Sequence, residues 1–373
     1  MVRRGHGEGS IYRRKDGRWV ASLTLEDRKR KYFYGGTRKE VQEALKKALH
    51  EQQQGTLVTG PQQTLGTFLD QWLEQAHRHV IRSSTYPGYR AILDKHIIPE
   101  LGHIRLQHLT PRHIQAFYDK KLNEGLSPAT VRRIHAILHR ALDTAVQWNL
   151  IGRNVSSMVS LPRMDGRKIQ PLTEEQAKLL LQVVRGQTLE AVITVALVTG
   201  MRMGELLALR WSDVDLGTGS IQVQHTINRY GKGGLIESEP KTAAGKRRVM
   251  LPPFASDILK EHRARQTTVK AKVGAAWKDN NLVFCNGVGG FIESNNLRVM
   301  FRQLLEKAGL PRIRFHDLRH SAATLLLSMG VNPKVIQELL GHSHVSITLQ
   351  VYSHMLPSMQ KEAMDKLEGF FGE

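Results

Sequence analysis

Cysteine is almost absent: Cys285 is the only one in 373 residues. That excludes an intramolecular disulfide and any cysteine-rich zinc site, and it fits a reducing compartment. Within LVFCNG the residue reads as a small buried hydrophobe. Long apolar runs are missing as well, and no stretch has the length or apolarity to span a bilayer. No charged-then-apolar leader opens the sequence, so secretion is not expected. Acidic residues are scarce: 34 Asp and Glu stand against 54 Lys and Arg, a formal net charge of +20. No dense carboxylate cluster is evident that would hold a pair of magnesium ions. The glycine-bearing stretches YGKGGL and AAGKRR both miss the G-x-x-x-x-G-K-[ST] spacing of a nucleotide loop. A positive surplus of this size concerns partners rather than fold, and it points to nucleic acid first and an anionic membrane surface second.

The length suggests roughly two to three domains. The basic surplus is spread along them: residues 1–60 hold fourteen Lys or Arg against seven Asp or Glu, and the rest of the excess lies downstream. GSIYRRKDGRWVASLTL alternates around Asp16-Gly17, a hairpin turn signal, and EDRKRKYFYGG supplies a third strand. TRKEVQEALKKALHE then starts a helix, with Thr37 and Glu40 at capping-box spacing and Val41, Ala44, Leu45 and Ala48 as its apolar stripe. The sheet face away from that helix is expected to carry Arg13, Arg14, Lys15, Arg18 and Trp19. A small basic sheet of this kind can lie in a DNA groove; an exposed basic sheet without a ligand is the alternative. QQQGTLVTGPQQ is a polar linker.

Residues 64 to about 160 read as all-helical. Leu65, Phe68, Leu69, Trp72 and Leu73 recur at helical spacing. Thr110-Pro111 and Ser127-Pro128 each pair a cap with a first-turn proline. Arg132, Arg133, His139 and Arg140 ride on the helix that follows Ser127, as basic faces for a duplex. His96, His103, His108 and His113 match no familiar zinc spacing and have no cysteine beside them, so no metal site is expected. LPRMDGRKIQPLT is a second linker. Beyond it helices mix with a short sheet: Thr173 caps a helix, LEAVITVALVTG is a buried helix ending at Gly200, and SIQVQHTINR and KRRVMLP read as partner strands.

Four pieces of this last region carry unusual polar residues. In TGMRMGELLALRW a helix starts near Arg202, and Glu205 shares its face. In EPKTAAGKRRVML, Lys241 falls near a hairpin tip, with Lys246 close by. In HDLRH, His316, Arg319 and His320 can project to a similar side of a helix start, ahead of the apolar run SAATLLL. In NPKVIQELLGHSHVSITLQVYSHM a helix stops at Gly341, His342 follows, and Ser346 can cap a short helix bearing Tyr352. A phosphodiester fits this set. Arginine binds phosphate oxygens bidentately and keeps its charge, tyrosine is a covalent nucleophile once its proton is removed, and a lysine can protonate a leaving oxygen. None of these steps requires a metal or another cofactor.

The same pieces, TGMRMGELLALRWSDVD, PKTAAGKRRVMLP, HDLRHSAATLLLSMGVNPKVIQELLGHSHVSIT and VYSHM, resemble the tyrosine recombinases, specifically the integrases of phages and conjugative transposons. They follow the family's order over most of residues 170–356. HIIPELGHIRLQHLTPRHIQAFYDKKL is similar to the family's core-binding domain, and the first sixty residues look like its arm-binding domain. The resemblance implies a multidomain α+β chain: a three-stranded sheet plus helix at 1–55, an all-helical core-binding domain at 64–160, and a mainly helical catalytic domain with a small antiparallel sheet at 168–373. It implies that Arg202 and Arg319 clamp the scissile phosphate and that His316 accepts a proton. Lys241 would be the general acid on the 5′ oxygen, His342 a hydrogen-bond donor to the phosphate, and Tyr352 the nucleophile of a 3′-phosphotyrosine link. Glu205 and His320 would be supporting residues. The implied partners are double-stranded DNA attachment sites of core and arm type, further copies of the chain in a homotetramer on DNA, and DNA-bending and excision-directing accessory proteins. The implied place of work is the cytoplasm of a bacterial host, at the nucleoid. The tail stripe of Met359, Ala363, Leu367 and Phe371 would pack on its own domain or dock on a neighbouring subunit. The main rival is a DNA-binding regulator without chemistry, since NPKVIQELLGHSHVSITLQVYS also resembles a helix-turn-helix. A topoisomerase-like nicking and resealing enzyme would share the chemistry.

Overall fold

The computed structural model describes residues 9–25, 30–54, 57, 62–164, 170–229, 234–240, 243–341 and positions 364, 365, 367, 368, 370 and 371. Lys241, His342, Ser346 and Tyr352 lie outside the described residues, as do Met359 and Ala363 of the tail stripe. The chain falls into two compact units, Met1–Gly166 and Arg167–Glu373.

The first unit opens with strands β1 (Ser10–Arg13), β2 (Trp19–Thr24) and β3 (Arg30–Gly35), paired antiparallel in the order β1-β2-β3. Gly17 has φ +85°, the left-handed conformation a tight hairpin asks of glycine. Helix α1 (Arg38–Gln53) starts at Thr37, whose hydroxyl accepts the Glu40 N–H. The Glu40 carboxylate takes the Gly36 N–H rather than that of Thr37, so its return bond falls one residue before the cap. Val41, Leu45 and Ala48 bury against Ala21 and Leu23, with Ile11, Trp19 and Phe33 packed alongside.

That packing corrects the expected sheet face. Ile11, Ala21 and Phe33 are in register, as are Arg13, Trp19 and Gly35, and side chains two apart share a face. Trp19 therefore packs toward the helix, and Arg13 ends the same face. Arg14, Lys15 and Arg18 belong to the hairpin tip, where Asp16 lies 3.8 Å from Arg14 and 3.6 Å from Arg18. The open face carries the exposed rings of Tyr12, Tyr32 and Tyr34.

The helical part runs through α2 (Leu65–Gln71), α3 (Tyr86–Ile92), α4 (Ile98–Leu101), α5 (Pro111–Asn123) and α6 (Pro128–Gln147). Wider π turns follow α2 at Trp72–His77 and α3 at Leu93–Ile97. Leu65, Phe68, Leu69, Trp72 and Leu73 are all fully buried in one core with Ile134, Leu138 and Leu142 of α6. Thr110 and Ser127 cap α5 and α6 as their spacing predicts, and the His113 ring accepts the Thr110 N–H to complete a capping box.

The second unit contains α7 (Glu174–Val184), α8 (Glu190–Thr199), α9 (Met203–Ala208), β4 (Val214–Asp215), β5 (Ser220–Val223), β6 (Thr226–Arg229), β7 (Leu235–Ser238), β8 (Arg247–Met250), α10 (Pro253–Val273), α11 (Ser294–Lys307), α12 (Asp317–Ser328) and α13 (Pro333–Leu340). Helix α8 is apolar on nearly every side and is buried accordingly. It packs with α7, α9, α10, α12 and the β4-β5-β8 sheet around one core. SIQVQHTINR is two strands, not one: the chain leaves sheet geometry at Gln224–His225, β5 pairs with β8, and β6 pairs with β7 in a separate hairpin. Cys285 is half-buried, not buried, and its sulfur accepts from Gln266 Nε2 at 3.0 Å. Among the described residues no helix is long and apolar enough to cross a membrane.

Candidate active site

Three segments far apart in sequence converge in the second unit. The first is the α8–α9 corner. Gly200 caps α8 with φ +59°, and a Cβ built there would meet Leu340 Cδ2 at 2.3 Å. Only glycine satisfies both the left-handed backbone and the close approach. The corner turns the Gly200 carbonyl to the guanidinium of Arg319, which donates to it from Nη1 at 2.8 Å. Two residues on, Arg202 is the N-cap of α9. Glu205 receives the Arg202 backbone N–H at 2.9 Å and its Nη1 at 2.8 Å. The spacing that placed Glu205 on the face of Arg202 therefore describes a direct bidentate contact. Arg202 Nη2 reaches the carbonyl of Gly341 at 3.2 Å, and the side chain stays 40% exposed.

The second segment is the start of α12. His316 is its N-cap, and Asp317 in its first turn chelates Arg314 at 2.7–3.2 Å. Burial works to raise the Asp317 pKa, but the hydrogen bonds and charge of Arg314 outweigh it and hold the carboxyl below its ordinary value. Arg319 is 3% exposed. HDLRH is thus not one solvated turn: His316 faces outward, while Arg319 turns inward to the α8 corner. Ser321, one turn after Asp317, accepts the Leu172 N–H at 2.9 Å and anchors the beginning of the unit to this helix.

The rings of His316 and His320 meet edge to face, 5.5 Å between centroids. One side of His316 is open to solvent while protein crowds the other. Desolvation, followed by the neighbouring His320 and Arg319, lowers its pKa to about 4. His320 is lowered too, chiefly by desolvation, with Asp317 opposing and Arg319 and Arg314 reinforcing. Both rings are neutral at pH 7, so each can accept a proton.

The third segment is α13, capped by Asn332 and closed by Gly341 at φ +68°. The described stretch 243–341 stops one residue before His342, at the carbonyl that Arg202 holds.

Arg202 and His316 share the wall of a groove of about 930 Å³ that also takes in Arg298, Arg302, Arg312 and Arg314. Sequence reasoning passed over these four arginines, because on a helix such as α11 an exposed arginine reads as solvated surface. It also missed Arg247, which is 8% exposed and donates to Glu205 at 3.0 Å. The signal for Arg247 was available: it shares strand parity with buried Val249 and Leu251.

The basic residues assigned to the first unit separate. On α6, Arg133 and Arg140 are seven residues apart, on one exposed face. Arg132 instead donates from Nε to the Pro162 carbonyl at 2.9 Å, and so binds the linker. Arg14 stands 6.0 Å above the Tyr34 ring, and Arg13 donates to the Gly17 carbonyl at 3.1 Å. Among the described residues no His, Cys, Asp and Glu grouping is arranged to hold a metal ion.

The partly exposed guanidinium of Arg202 and the neutral ring of His316, from separate segments, thus share one groove with further arginines, while Arg319 lies buried against the Gly200 carbonyl. Comparison with known proteins carries this further. The model of the "Phage integrase family" matches residues 170–359, and that of the "Phage integrase, N-terminal SAM-like domain" matches residues 64–122. The chain therefore belongs to the phage integrase family and is a tyrosine-type site-specific recombinase. It is 31% identical over 360 residues to the tyrosine recombinase XerC-like protein of Caldanaerobacter subterraneus subsp. tengcongensis, covering 92% of each chain. With the ICEBs1 integrase of Bacillus subtilis it is 29% identical, over 76% of this chain and 77% of that one. Its fold is that of the Tn1549 transposon integrase, solved with a circular intermediate DNA: TM-score 0.70, 23% identity, 82% of this chain and 99% of that one. It is similar also to the lambda integrase, solved as a tetramer on a Holliday junction, with TM-score 0.58 and 19% identity over 94% and 96%.

Proposed function

We propose that this chain integrates and excises a mobile element by cutting and rejoining DNA at Tyr352, with Arg202, Arg319, His316, Lys241 and His342 around the scissile phosphate. The supporting observation is that Arg202 and His316, remote in sequence, line one arginine-rich groove. The Tyr352 oxygen attacks phosphorus and loses its proton to His316, whose lowered pKa keeps it a free base. The P–O5′ bond breaks, Lys241 protonates the departing 5′ oxygen, and a 3′-phosphotyrosine remains. Arg202 and Arg319 bind the non-bridging oxygens, where charge grows in the transition state. His342 adds a hydrogen bond to the same oxygens, Glu205 orients Arg202, and His320 supports His316. The 5′ hydroxyl of a partner strand then attacks the link and releases Tyr352. One phosphodiester replaces another, so the exchange needs no nucleotide hydrolysis.

Lys246 is the obvious competitor for the role of Lys241. It donates to Glu239 at 2.8 Å at the surface, which favours the assignment to Lys241. In this reading residues 1–55 take arm-type sites through Arg13, Arg14, Lys15 and Arg18. Residues 64–160 take the core site through Arg133 and Arg140, with Arg132 setting the linker, and residues 168–373 cut. Four copies assemble on two core sites with the tail docked on a neighbour, and bending and excision-directing proteins assist. The work takes place in the bacterial cytoplasm, on the nucleoid.

The test uses a duplex built on the direct repeat that borders the element, nicked near the cleavage point so that a short fragment diffuses away. The parent chain should accumulate a covalent protein–DNA adduct and Tyr352→Phe none. An adduct with Tyr352→Phe refutes the nucleophile assignment; no adduct with either chain favours a regulator without chemistry.

A further inference from the structure

Arg247 sits on β8, six residues beyond Lys241, at a position the strand buries. Register pairs it with Val223, and Val249 pairs with Ile221, so its side chain enters the core side of the β4-β5-β8 sheet. A guanidinium costs free energy there unless each face is bonded. The three bonds it makes are informative. Nη2 donates to Glu205 at 3.0 Å, Nε to the Leu339 carbonyl at 2.6 Å, and Nη1 to the Gly245 carbonyl at 3.2 Å. Glu205 is the carboxylate that grips Arg202, and Leu339 lies in the last turn of α13. Arg202 closes the circuit by donating to Gly341.

Two arginines from different segments thus hold carbonyls at one helix end, where the backbone dipole favours positive charge. One carboxylate, 2% exposed, joins them. Burial alone would raise its pKa, but the charge and hydrogen bond of Arg247, with the bonds from Arg202, lower it, so it stays ionised. Gly341 seals the contact from the other side. A Cβ there would fall 2.6 Å from the Ala244 carbonyl and 3.1 Å from the Arg247 side chain.

We infer that Arg247 is a positioning residue for strand cleavage: through Glu205 and the end of α13 it sets the guanidinium of Arg202, without touching DNA itself. The inference rests on the site proposed above. Without Arg247, Glu205 loses its buried partner, Arg202 keeps its charge but not its orientation, and the α13 end loses one of its two clamps. Lysine cannot replace it, because one ammonium does not span Glu205 and Leu339 as a planar fork does.

The test compares Arg247→Lys and Arg247→Met with the parent on two nicked duplexes of the direct repeat, one with a phosphodiester and one with a neutral methylphosphonate at the cleaved position. The methylphosphonate carries one negative charge fewer into the transition state, so it depends less on a well-placed arginine. On the phosphodiester, adduct formation should fall on the order of 100-fold for both variants, as misplacement of a reacting group costs. On the methylphosphonate the loss should be less than about tenfold, since the interaction being removed acts mainly on transition-state charge. Affinity for the duplex should stay within about twofold, because no phosphate contact is lost. Equal losses on both substrates would mean that Arg247 only holds the fold, and an unchanged rate in Arg247→Lys would mean that its fork is not used; either overturns the inference. A parent chain that forms no adduct, or a Tyr352→Phe chain that does, overturns the site reading instead.

Discussion

Gly200 shows how closely the corner before Arg202 is set. Its φ is +59°, and a methyl group would run into Leu340. Gly200→Ala should destabilise the chain by about 1–3 kcal/mol, combining the left-handed penalty with overpacking. Urea unfolding measures this, and a stability equal to that of the parent would contradict the close approach. The histidine pair makes a second residue-level prediction. Both rings have lowered pKa values, chiefly because the fold desolvates them. The unfolded chain therefore binds protons that the folded chain refuses. Their stabilising contribution is complete above the ordinary histidine pKa of about 6.5 and is lost as pH falls below it, for His316 toward its folded value of about 4. Denaturant midpoints should drop across that window, and His316→Gln should flatten part of the drop. An identical slope in the variant would show that His316 is not desolvated.

At the scale of elements, α11 presents Arg298 and Arg302 to the groove beside Arg202. If that groove tracks the sugar-phosphate backbone, each arginine releases counterions when DNA binds. Arg298→Ala and Arg302→Ala should each weaken binding similarly for all sequences and reduce the slope of log affinity against log salt by about 1. Filter binding across a salt series decides it; a loss confined to one sequence would assign them to base reading. The β6–β7 hairpin that precedes Lys241 is anchored at its base, where Arg210 binds Glu237 at 2.7 Å and His225 lies 3.4 Å from the same carboxylate.

At the scale of the whole molecule, the N-terminal sheet has a small core of its own, separate from the helical core that follows. Removing residues 1–55 should therefore leave the remaining domains folded. It should impair integration that depends on a second DNA site while sparing adduct formation on an isolated direct repeat, because bivalent attachment is lost but the cutting residues are intact. Equal loss of both activities would count against that division of labour.

Local chemistry was legible without coordinates wherever neighbours in sequence decide the outcome. Thr37, Thr110, Ser127 and Thr173 cap their helices because capping needs only the next three residues. Gly200 and Gly341 end theirs for a similarly local reason. The four polar pieces named the family for the same reason, each being a short run with its own order. The face of the N-terminal sheet, the break at Gln224–His225 and the partners of Arg247 were not local. Alternation alone does not say which face a helix will cover, so Trp19 was placed outward although its ring packs inward. A buried arginine is intelligible only once Glu205, Leu339 and Gly245 arrive from separate segments to satisfy it. The sequence by itself determined the helices, their caps and the phosphodiester chemistry. Tertiary structure decided which charges are bonded within the protein and which remain for DNA, because that depends on acceptors brought together only by folding.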